Sequence, residues 1–321
     1  MDKVDMSTKV ERLGSLRVAV VGDVMLDTYT YGKVERISAE APVPIIHIVK
    51  EMSVLGGAGN VLANLATVGV QTRLISTVGN DAAGETVTTL LRELTGETQE
   101  HIVVVDEKKP TVTKKRMVAA NQQLLRIDTE DTTSVTEKVM YQVVAKLESA
   151  LSNVDVICIS DYGKGFITAA LMEIILTIAN RLKIPVVVDT KPKNISFFYN
   201  CTLISPNESE LLEMTKTGTI EERAHALAVK TKSNILVTLG GKGVYYADAN
   251  DVSNNFSLPS FATDVRDVSG AGDTVIAFAV IGLALGLSIK EAVTLANHAA
   301  AISVSKPHTA VVTMDELLAV L

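Results

Sequence analysis

The feature that most constrains the fold is a regular alternation of short apolar strands with longer helical segments. In the second half of the chain, the patterns predict strands at residues 155–160, 185–189, 203–205, 235–239 and 244–247, and helices at residues 168–182, 207–216, 271–285 and 289–305. Earlier they predict strands at residues 17–22 and 72–78, and helices at residues 56–68, 81–95 and 134–151. Such alternation is typical of an α/β fold with a mostly parallel central sheet flanked by helices. Asp81 is a candidate N-cap, and Ser134 with Glu137 fits a capping box.

Two further segments, residues 25–50 and 110–128, show a different pattern. Polar and apolar residues alternate in them, as in strands that are exposed on one side. Pro42 and Pro44 restrict such strands to sheet edges or turns, because proline has no N–H to donate to a neighbouring strand. We therefore expect a small β appendage from about residues 25–50 and 110–128, within a single domain that spans residues 1–321.

The composition favours a globular protein with a large core. Of the 321 residues, 47% are hydrophobic and 21% are charged, which excludes a disordered chain. The net charge of −7 comes from interspersed residues, without the long runs of one sign that bind nucleic acids or anionic membranes. The longest apolar run, residues 274–287, is too short to span a bilayer, and residues 1–12 are polar. We therefore expect a cytoplasmic protein that binds neither nucleic acid nor membrane.

The strongest chemical signal is the segment Asp267–Thr274, in which Gly270-Ala271-Gly272-Asp273 leads directly into an apolar helix. Small residues leave backbone N–H groups uncovered, and a helix start carries partial positive charge, so this turn is suited to bind phosphate. A carboxylate there would repel phosphate, unless it accepted a proton from an attacking hydroxyl. Asp273 is therefore a candidate general base. The alternative is an ordinary N-capping aspartate after a flexible turn.

Three further segments carry candidate binding residues, and each has a structural alternative. The glycines of Ser53–Asn60 predict either close backbone approach to a ligand or an ordinary helix start. The turn Thr238–Gly243 predicts either a phosphate cradle or a hairpin turn. Asn207 and Glu210 open a helix, where Glu210 either caps the helix or holds a Mg²⁺-bound water.

These four segments, in this order and spacing, resemble the PfkB (ribokinase-like) carbohydrate kinases over nearly the whole chain. The resemblance implies a ribokinase-like fold, ATP and Mg²⁺, and a β appendage that closes as a lid over the sugar and often pairs subunits into a homodimer. It implies that Asp273 is the catalytic base and that the amides of Gly270, Ala271 and Gly272 form the anion hole. The nucleotide and metal residues that it implies are Asn207, Glu210 (to Mg²⁺ through water), Thr238, Gly240, Gly243 and Asn297.

A closer resemblance, within that family, is to the D-glycero-β-D-manno-heptose-7-phosphate kinases. It rests on the segments Gly22–Asp27, Arg36–Pro44, Asn121–Asp128 and Ser160–Gly165. The implied reaction is ATP-dependent phosphorylation of the C1 hydroxyl of the heptose 7-phosphate, giving the 1,7-bisphosphate for ADP-heptose and lipopolysaccharide synthesis. The implied site residues are Asp27, Gly56, Gly57 and Asn60 for the sugar, and Lys191 for the ATP phosphates.

An acceptor that already carries a phosphate also requires cations. The candidates are Lys33, Arg36, Arg116, Arg126 and Lys164. The chain departs from the heptose kinase pattern at Thr28 (usually Arg), at Ala39 and Thr190 (usually Pro), and in Ser305–Thr309 (usually Gly-Lys-x-Gly-Thr). The last change touches a loop that, by the resemblance, lies near the nucleotide and any monovalent cation site. K⁺ is a further candidate cofactor. The His-x-Gly-His motif of fused relatives is absent, so we expect no nucleotidyltransferase activity.

Three other functions remain as alternatives. The first is a PfkB kinase for another sugar or for a nucleoside. The second is a nicotinamide-dependent oxidoreductase, which would need Gly-x-Gly-x-x-Gly after the first strand, where this chain has Gly22–Asp27 instead. The third is a non-catalytic sugar-binding regulator, which would have no use for the carboxylate of Asp273.

Overall fold

A computed structural model of the chain describes residues 9–97, 99–120 and 122–320; Asn121, which opens one of the segments above, lies outside the described residues, as do residues 1–8. The strands, in chain order, are β1 (Arg17–Gly22), β2 (Val24–Ile37), β3 (Pro44–Gly57), β4 (Gln71–Gly79), β5 (Ile102–Asp106), β6 (Thr113–Ala119), β7 (Gln122–Thr129), β8 (Val156–Asp161), β9 (Val186–Thr190), β10 (Leu203–Ile204), β11 (Asn234–Thr238), β12 (Val244–Ala247) and β13 (Phe256–Leu258). The helices are α1 (Ala58–Thr67), α2 (Ala82–Thr95), α3 (Glu137–Leu151), α4 (Ala169–Leu182), α5 (Glu208–Met214), α6 (Ile220–Thr231), α7 (Ala271–Ala284), α8 (Ile289–Val304) and α9 (Met314–Leu318).

Among the described residues, nine strands form one large sheet, in the order β13-β12-β11-β10-β9-β8-β1-β4-β5. The pairs from β11 to β5 are parallel, and only β12 and β13 run antiparallel to their neighbours. The fold is therefore α/β with a mostly parallel central sheet, as the alternation predicts. Parallel strands end at the same edge of a sheet, so the residues that follow β1, β8, β9 and β10 meet there.

The core lies on both faces of this sheet because its central strands are apolar on both sides. In β1, Val18 and Val20 face one helix layer, whereas Ala19 and Val21 face the other. The first layer contains α1, α2, α7, α8 and α9, and the second contains α3, α4, α5 and α6. Strands buried in this way read in the sequence as continuous runs of β-branched residues.

The polar and apolar alternation of the remaining strands produces a second, four-stranded sheet with the order β3-β2-β6-β7. β3 begins at Pro44 and is an edge strand, as its proline requires. β3 continues to Gly57 and β7 to Thr129, so the small sheet extends beyond the predicted limits at residues 50 and 128. The added residues of β3 lead directly into α1 and connect the two sheets.

One predicted helix start is wrong. Helix α3 is capped by Thr136, whose hydroxyl accepts a hydrogen bond from the N–H of Val139, and not by Ser134. The reason is tertiary: the N–H of Val135 donates to the carbonyl of Gly165, and the Val135 side chain is buried, which keeps this residue out of the helix. β5, α6, β13 and α9 were not predicted.

No helix among the described residues is both long enough and apolar enough to pass through a membrane.

We predict that Gly22→Ala destabilises the fold by about 3 kcal/mol. A Cβ at this position would lie 2.0 Å from the carbonyl oxygen of Ser160, on the neighbouring strand, where the backbone cannot move without breaking the parallel pairing. Denaturant unfolding monitored by circular dichroism measures the change. Gly14→Ala is the control, because no atom lies within 4 Å of its added Cβ. Equal unfolding midpoints for the two variants would contradict the prediction.

Candidate active site

The carboxylate of Asp273 lies in the first turn of α7 and is only 3% exposed. Its Oδ2 accepts a hydrogen bond of 2.8 Å from Nδ2 of Asn60, on α1. Its Oδ1 accepts a second hydrogen bond of 2.8 Å, from the hydroxyl of Tyr162, which follows β8. Three distant segments of the chain therefore meet at one buried carboxylate.

Gly270 allows Asn60 to contact Asp273. Its φ of +77° is in the left-handed region, which favours glycine, and it lets the chain turn into α7. A Cβ at this position would also lie 2.6 Å from Nδ2 of Asn60 and would displace the amide from Asp273. The glycine of the motif is therefore required by both the backbone and the contact.

Burial, together with the neighbouring carboxylate of Asp27, raises the pKa of Asp273 from 3.8 to about 6. The hydrogen bonds from Asn60 and Tyr162 and the charge of Lys191 oppose this rise. The group is thus ionised at neutral pH, yet its proton affinity is well above that of an ordinary aspartate. This is the state that a general base requires.

A cavity of about 410 Å³ lies beside the N-terminus of α7. The predicted nucleotide residues that line it are Asn207, Thr238, Gly240, Gly243 and Asn297, with Ala271 and Gly272 of the phosphate-binding turn. Valines complete the wall, which suits the flat apolar surface of a base. Asn297 is held by a hydrogen bond of 2.7 Å from its Nδ2 to the carbonyl of Pro259. The turn after Thr238 is a hairpin turn between β11 and β12, which is the structural alternative for this segment.

Glu210 has two partners on this side of the site. It forms a capping box with Asn207 at the start of α5, and its Oε1 lies 2.5 Å from the ammonium of Lys191. Asp189, at the end of β9, was not predicted as a site residue. Burial raises the pKa of Asp189 to about 8, while the charge of Lys191 opposes the rise and the charges of Glu210 and Asp273 increase it.

On the opposite side of Asp273, the small sheet turns one face toward the site. Asp27 on this face is 5% exposed, and its Oδ1 lies 2.8 Å from Nη1 of Arg116. Gly56 lies so close that a Cβ there would be 2.5 Å from Oδ2 of Asp27. The guanidinium of Arg116 also stacks over the ring of Tyr29, at 5.1 Å from its centroid.

Four cations cluster at this face; we call them the acceptor-side cations. Lys114, Arg116 and Arg126 lie on the face itself, and Lys164, in the loop after β8, lies close to Lys114. Burial lowers the pKa of Lys114; the charge of Asp27 opposes this, and the charges of the other three cations lower the pKa further. Arg126 pairs with Asp128 at 2.9 Å, and Lys164 pairs with Glu130 at 2.5 Å.

Lys114 differs from the other three because no carboxylate among the described residues lies within ion-pair distance of it. Its ammonium lies 5.5 Å from the centroid of the Tyr162 ring. It was not among the predicted cations, although its pairing with Asp27 across β2 and β6 puts it on the same face. By contrast, the predicted Lys33 and Arg36 are exposed at the far end of β2.

The departures from the heptose kinase pattern have local explanations. Thr28 alternates to the face opposite Asp27, where its hydroxyl is 3.1 Å from that of Ser53. Thr190 donates a hydrogen bond of 2.6 Å to Asp161. His308 has a φ of +63°, and its Nε2 is 2.6 Å from the hydroxyl of Tyr31, so it links the C-terminal loop to the small sheet.

The fold is similar to that of solved kinases. Phosphofructokinase-2 from Escherichia coli, in complex with potassium, superposes with a TM-score of 0.77 at 19% identity, over 94% of this chain and 97% of that one. Arabidopsis thaliana ribokinase, complexed with ribose and ATP, superposes with a TM-score of 0.71 at 20% identity, over 95% of this chain and 98% of that one. These likenesses show a ribokinase-like fold.

Curated relatives are more similar in sequence. The bifunctional protein HldE of Paramagnetospirillum magneticum is 39% identical over 99% of this chain and 66% of its own length. The protein of the same name from Aliarcobacter butzleri is 37% identical over 94% of this chain and 63% of its own length. The chain thus spans about two thirds of the length of these relatives.

The pattern of the pfkB family carbohydrate kinases matches residues 15–316, which include every residue of the site described above. The chain therefore belongs to the pfkB family of carbohydrate kinases and is a phosphotransferase that acts on a sugar hydroxyl.

Proposed function

We propose that the acceptor is a phosphorylated sugar, and specifically that the enzyme phosphorylates the C1 hydroxyl of D-glycero-β-D-manno-heptose 7-phosphate. The observation that carries this proposal is the group of acceptor-side cations. Three of the four have carboxylate partners, whereas Lys114 has none among the described residues and is partly buried beside the other three cations. An anion bound beside Lys114 would offset both the repulsion and the lost hydration. A sugar phosphate supplies that anion, whereas a neutral sugar does not. The resemblance of Gly22–Asp27 and Ser160–Gly165 to the heptose-7-phosphate kinases favours the heptose.

In the proposed mechanism, Asp273 accepts the proton of the acceptor hydroxyl as its oxygen bonds to the γ-phosphorus of ATP. The bond from that phosphorus to the β,γ-bridging oxygen breaks, and ADP leaves. The N–H groups of Gly270, Ala271 and Gly272 stabilise the charge on the transferred group at the start of α7. Asp27, Gly56, Gly57 and Asn60 hold the sugar so that the hydroxyl faces Asp273.

The family implies ATP and a divalent metal. The apolar cavity beside the turn Thr238–Gly243 fits the nucleotide. No group of three or more His, Cys, Asp or Glu side chains forms a metal cage within the described ranges, and this fits Mg²⁺, which is usually held by phosphates, waters and one or two carboxylates. The metal, when bound, neutralises phosphate charge. We propose Glu210 as its ligand through water, Lys191 as a phosphate contact, and K⁺ as an activator.

The main alternative is a kinase of the same family that acts on a nucleoside. A nucleoside acceptor requires an apolar surface for its base. The acceptor side of Asp273 instead presents Lys114, Arg116 and Asp27, so the charge distribution favours the sugar phosphate.

We also propose that two copies of the chain pair through the outer face of the small sheet. The strand register puts Leu125 and Ile127 on the face opposite to Arg116 and Arg126, and they are 54% and 46% exposed. Apolar side chains on an exposed sheet face are stabilised by burial against another sheet, and a second copy offers the same surface. In such a dimer, one face of the small sheet covers the acceptor and the other face contacts the second copy.

The cytoplasmic location stays a prediction.

We predict that Asp273→Asn lowers turnover by at least about a thousandfold, because the amide cannot accept the proton.

The same variant is expected to be more stable than the wild type at about pH 8, by up to about 3 kcal/mol, since burial raises the pKa of this carboxylate to about 6 and disfavours its charge. Near pH 4 the carboxyl is protonated and the gain disappears. Steady-state ADP release and denaturant unfolding measure the two effects. A variant that keeps most of its turnover would exclude Asp273 as the base.

We predict that Lys114→Ala raises KM for heptose 7-phosphate by about tenfold or more, while kcat changes little, because a phosphate contact to a cation is lost. Lys115→Ala is the matched control: it removes the same charge one position along β6, but Lys115 faces away and pairs with Glu51 at 2.9 Å. ADP release is measured with heptose 7-phosphate, fructose 6-phosphate, ribose, adenosine and a blank without sugar. Equal KM values for the two variants, or turnover with ribose alone, would contradict the sugar phosphate proposal.

We predict that Leu125→Asp converts a dimer into a monomer in size-exclusion chromatography with light scattering, because the charge cannot be buried between two sheets. Val252→Asp is the control, since Val252 is 58% exposed at the far end of the large sheet. A wild-type protein that is monomeric at every concentration tested, or a Leu125→Asp variant that stays dimeric, would overturn the proposed interface.

A further inference from the structure

We propose that Tyr162 is a positioning residue for the reaction: its hydroxyl orients the Asp273 carboxylate toward the acceptor and keeps it ionised at neutral pH. This inference rests on the proposed role of Asp273 as the base. Tyr162 belongs to the segment Ser160–Gly165, to which the resemblance assigns no role for this side chain.

The geometry gives each oxygen of Asp273 a separate donor. The Tyr162 hydroxyl donates to Oδ1 at 2.8 Å, and the Asn60 amide donates to Oδ2 at 2.8 Å. Two donors on two oxygens prevent rotation of the carboxylate about its Cβ–Cγ bond. Burial raises the pKa of Tyr162 well above 10.0, so the phenol is always the donor in this pair.

The backbone around Tyr162 is itself held in place. The buried carboxylate of Asp23 accepts hydrogen bonds from the N–H groups of Tyr162, Lys164 and Phe166, at 2.9 Å, 3.0 Å and 3.2 Å. These bonds hold the loop after β8 as a compact turn. These three hydrogen bonds therefore fix the backbone from which the phenol of Tyr162 extends.

The ring of Tyr162 contacts both halves of the site. The ammonium of Lys114, on the acceptor side, is 5.5 Å from the ring centroid, and that of Lys191, on the nucleotide side, is 5.1 Å from it. A phenylalanine would keep the packing and both cation contacts. What the hydroxyl adds is the hydrogen bond to Asp273, so Tyr162→Phe tests that bond alone.

The other charged groups around Asp273 determine what the loss of this bond does. The carboxylate of Asp27 disfavours its charge, and Lys191 favours it. Asp189 and the thiol of Cys158 are mostly neutral at neutral pH, because burial raises the pKa of both groups. Without the phenol, Asn60 and Lys191 alone oppose burial and the carboxylate of Asp27. The pKa of Asp273 then rises toward neutrality, and less of the enzyme holds the ionised base.

The first experiment compares the pH dependence of kcat/KM for Tyr162→Phe and the wild type. We expect the acid limb to move up by about one pH unit, so that the loss at about pH 6 exceeds the loss at about pH 8.5 by roughly fivefold. Titration of the substrate phosphate is the same for both enzymes, so it does not contribute to the difference. Tyr141→Phe, at a tyrosine that is 77% exposed, is the matched control. An equal loss at all pH values would assign Tyr162 a structural role and overturn the proposal.

A second experiment needs no turnover. The pKa of Asp273 is about 6 in the folded state and 3.8 as the ordinary value, so the native state binds the extra proton and stability decreases as pH rises across that window. In Tyr162→Phe this decrease is expected to continue to higher pH. In an Asp273→Asn background, the effect of Tyr162→Phe is expected to be independent of pH.

The two experiments separate this inference from the proposed function. If Asp273→Asn keeps its turnover, the role of Asp273 as base fails, but the unfolding curves still report whether the phenol stabilises the carboxylate. If the unfolding curves of Tyr162→Phe and the wild type run parallel at every pH, the electrostatic role of Tyr162 is excluded, whatever the turnover shows.

Discussion

The structure depends on the desolvation of one carboxylate. Burial of Asp273 at the start of α7 costs free energy, and a rise of its pKa from 3.8 to about 6 corresponds to about 3 kcal/mol. Hydrogen bonds from Asn60 and Tyr162 oppose this cost, and they come from α1 and from the loop after β8. Gly270 must lack a side chain for the amide to reach it. A desolvated carboxylate with a raised proton affinity is what a general base requires, and the surrounding structure holds it there.

The two faces of the small sheet carry different kinds of side chain. Its inner face brings together cations that repel one another, and only some of them have carboxylate partners. Its outer face carries Leu125 and Ile127, because successive side chains of a strand point to opposite sides. The same alternation turns Thr28 outward, so this departure from the heptose kinase pattern does not change the inner face. The strand pattern thus places the cations of β6 and β7 that face the acceptor on one side of the small sheet and Leu125 and Ile127 on the other.

Local sequence signals predicted most of the fold. The strands with both faces buried and the long helices were predicted within one or two residues, because burial on both sides leaves continuous apolar runs. The cap of α3 was predicted two residues too early, since the contact of Val135 with Gly165 is not local. β5 and α6 carry local signals, among them the capping box of Thr219 and Glu222, so a closer reading could have found them. β13 has three residues and no such signal.

The sequence by itself determined which chemical groups are available and where the chain turns: a glycine turn before Asp273, a hairpin after Thr238, a capped helix at Asn207. It also determined the family, because those motifs occur in one order and spacing. Only the tertiary structure decided which groups meet. Tyr162 and Asp273 are 111 residues apart, and Asn60 and Asp273 are 213 apart, so no local pattern relates them. Lys114 joins the acceptor side because its strand pairs with β2, and Lys33 and Arg36 do not, because they lie on the exposed end of that strand. Contacts of this kind arise when the sheet closes and its strand ends converge, and that is a property of the whole chain.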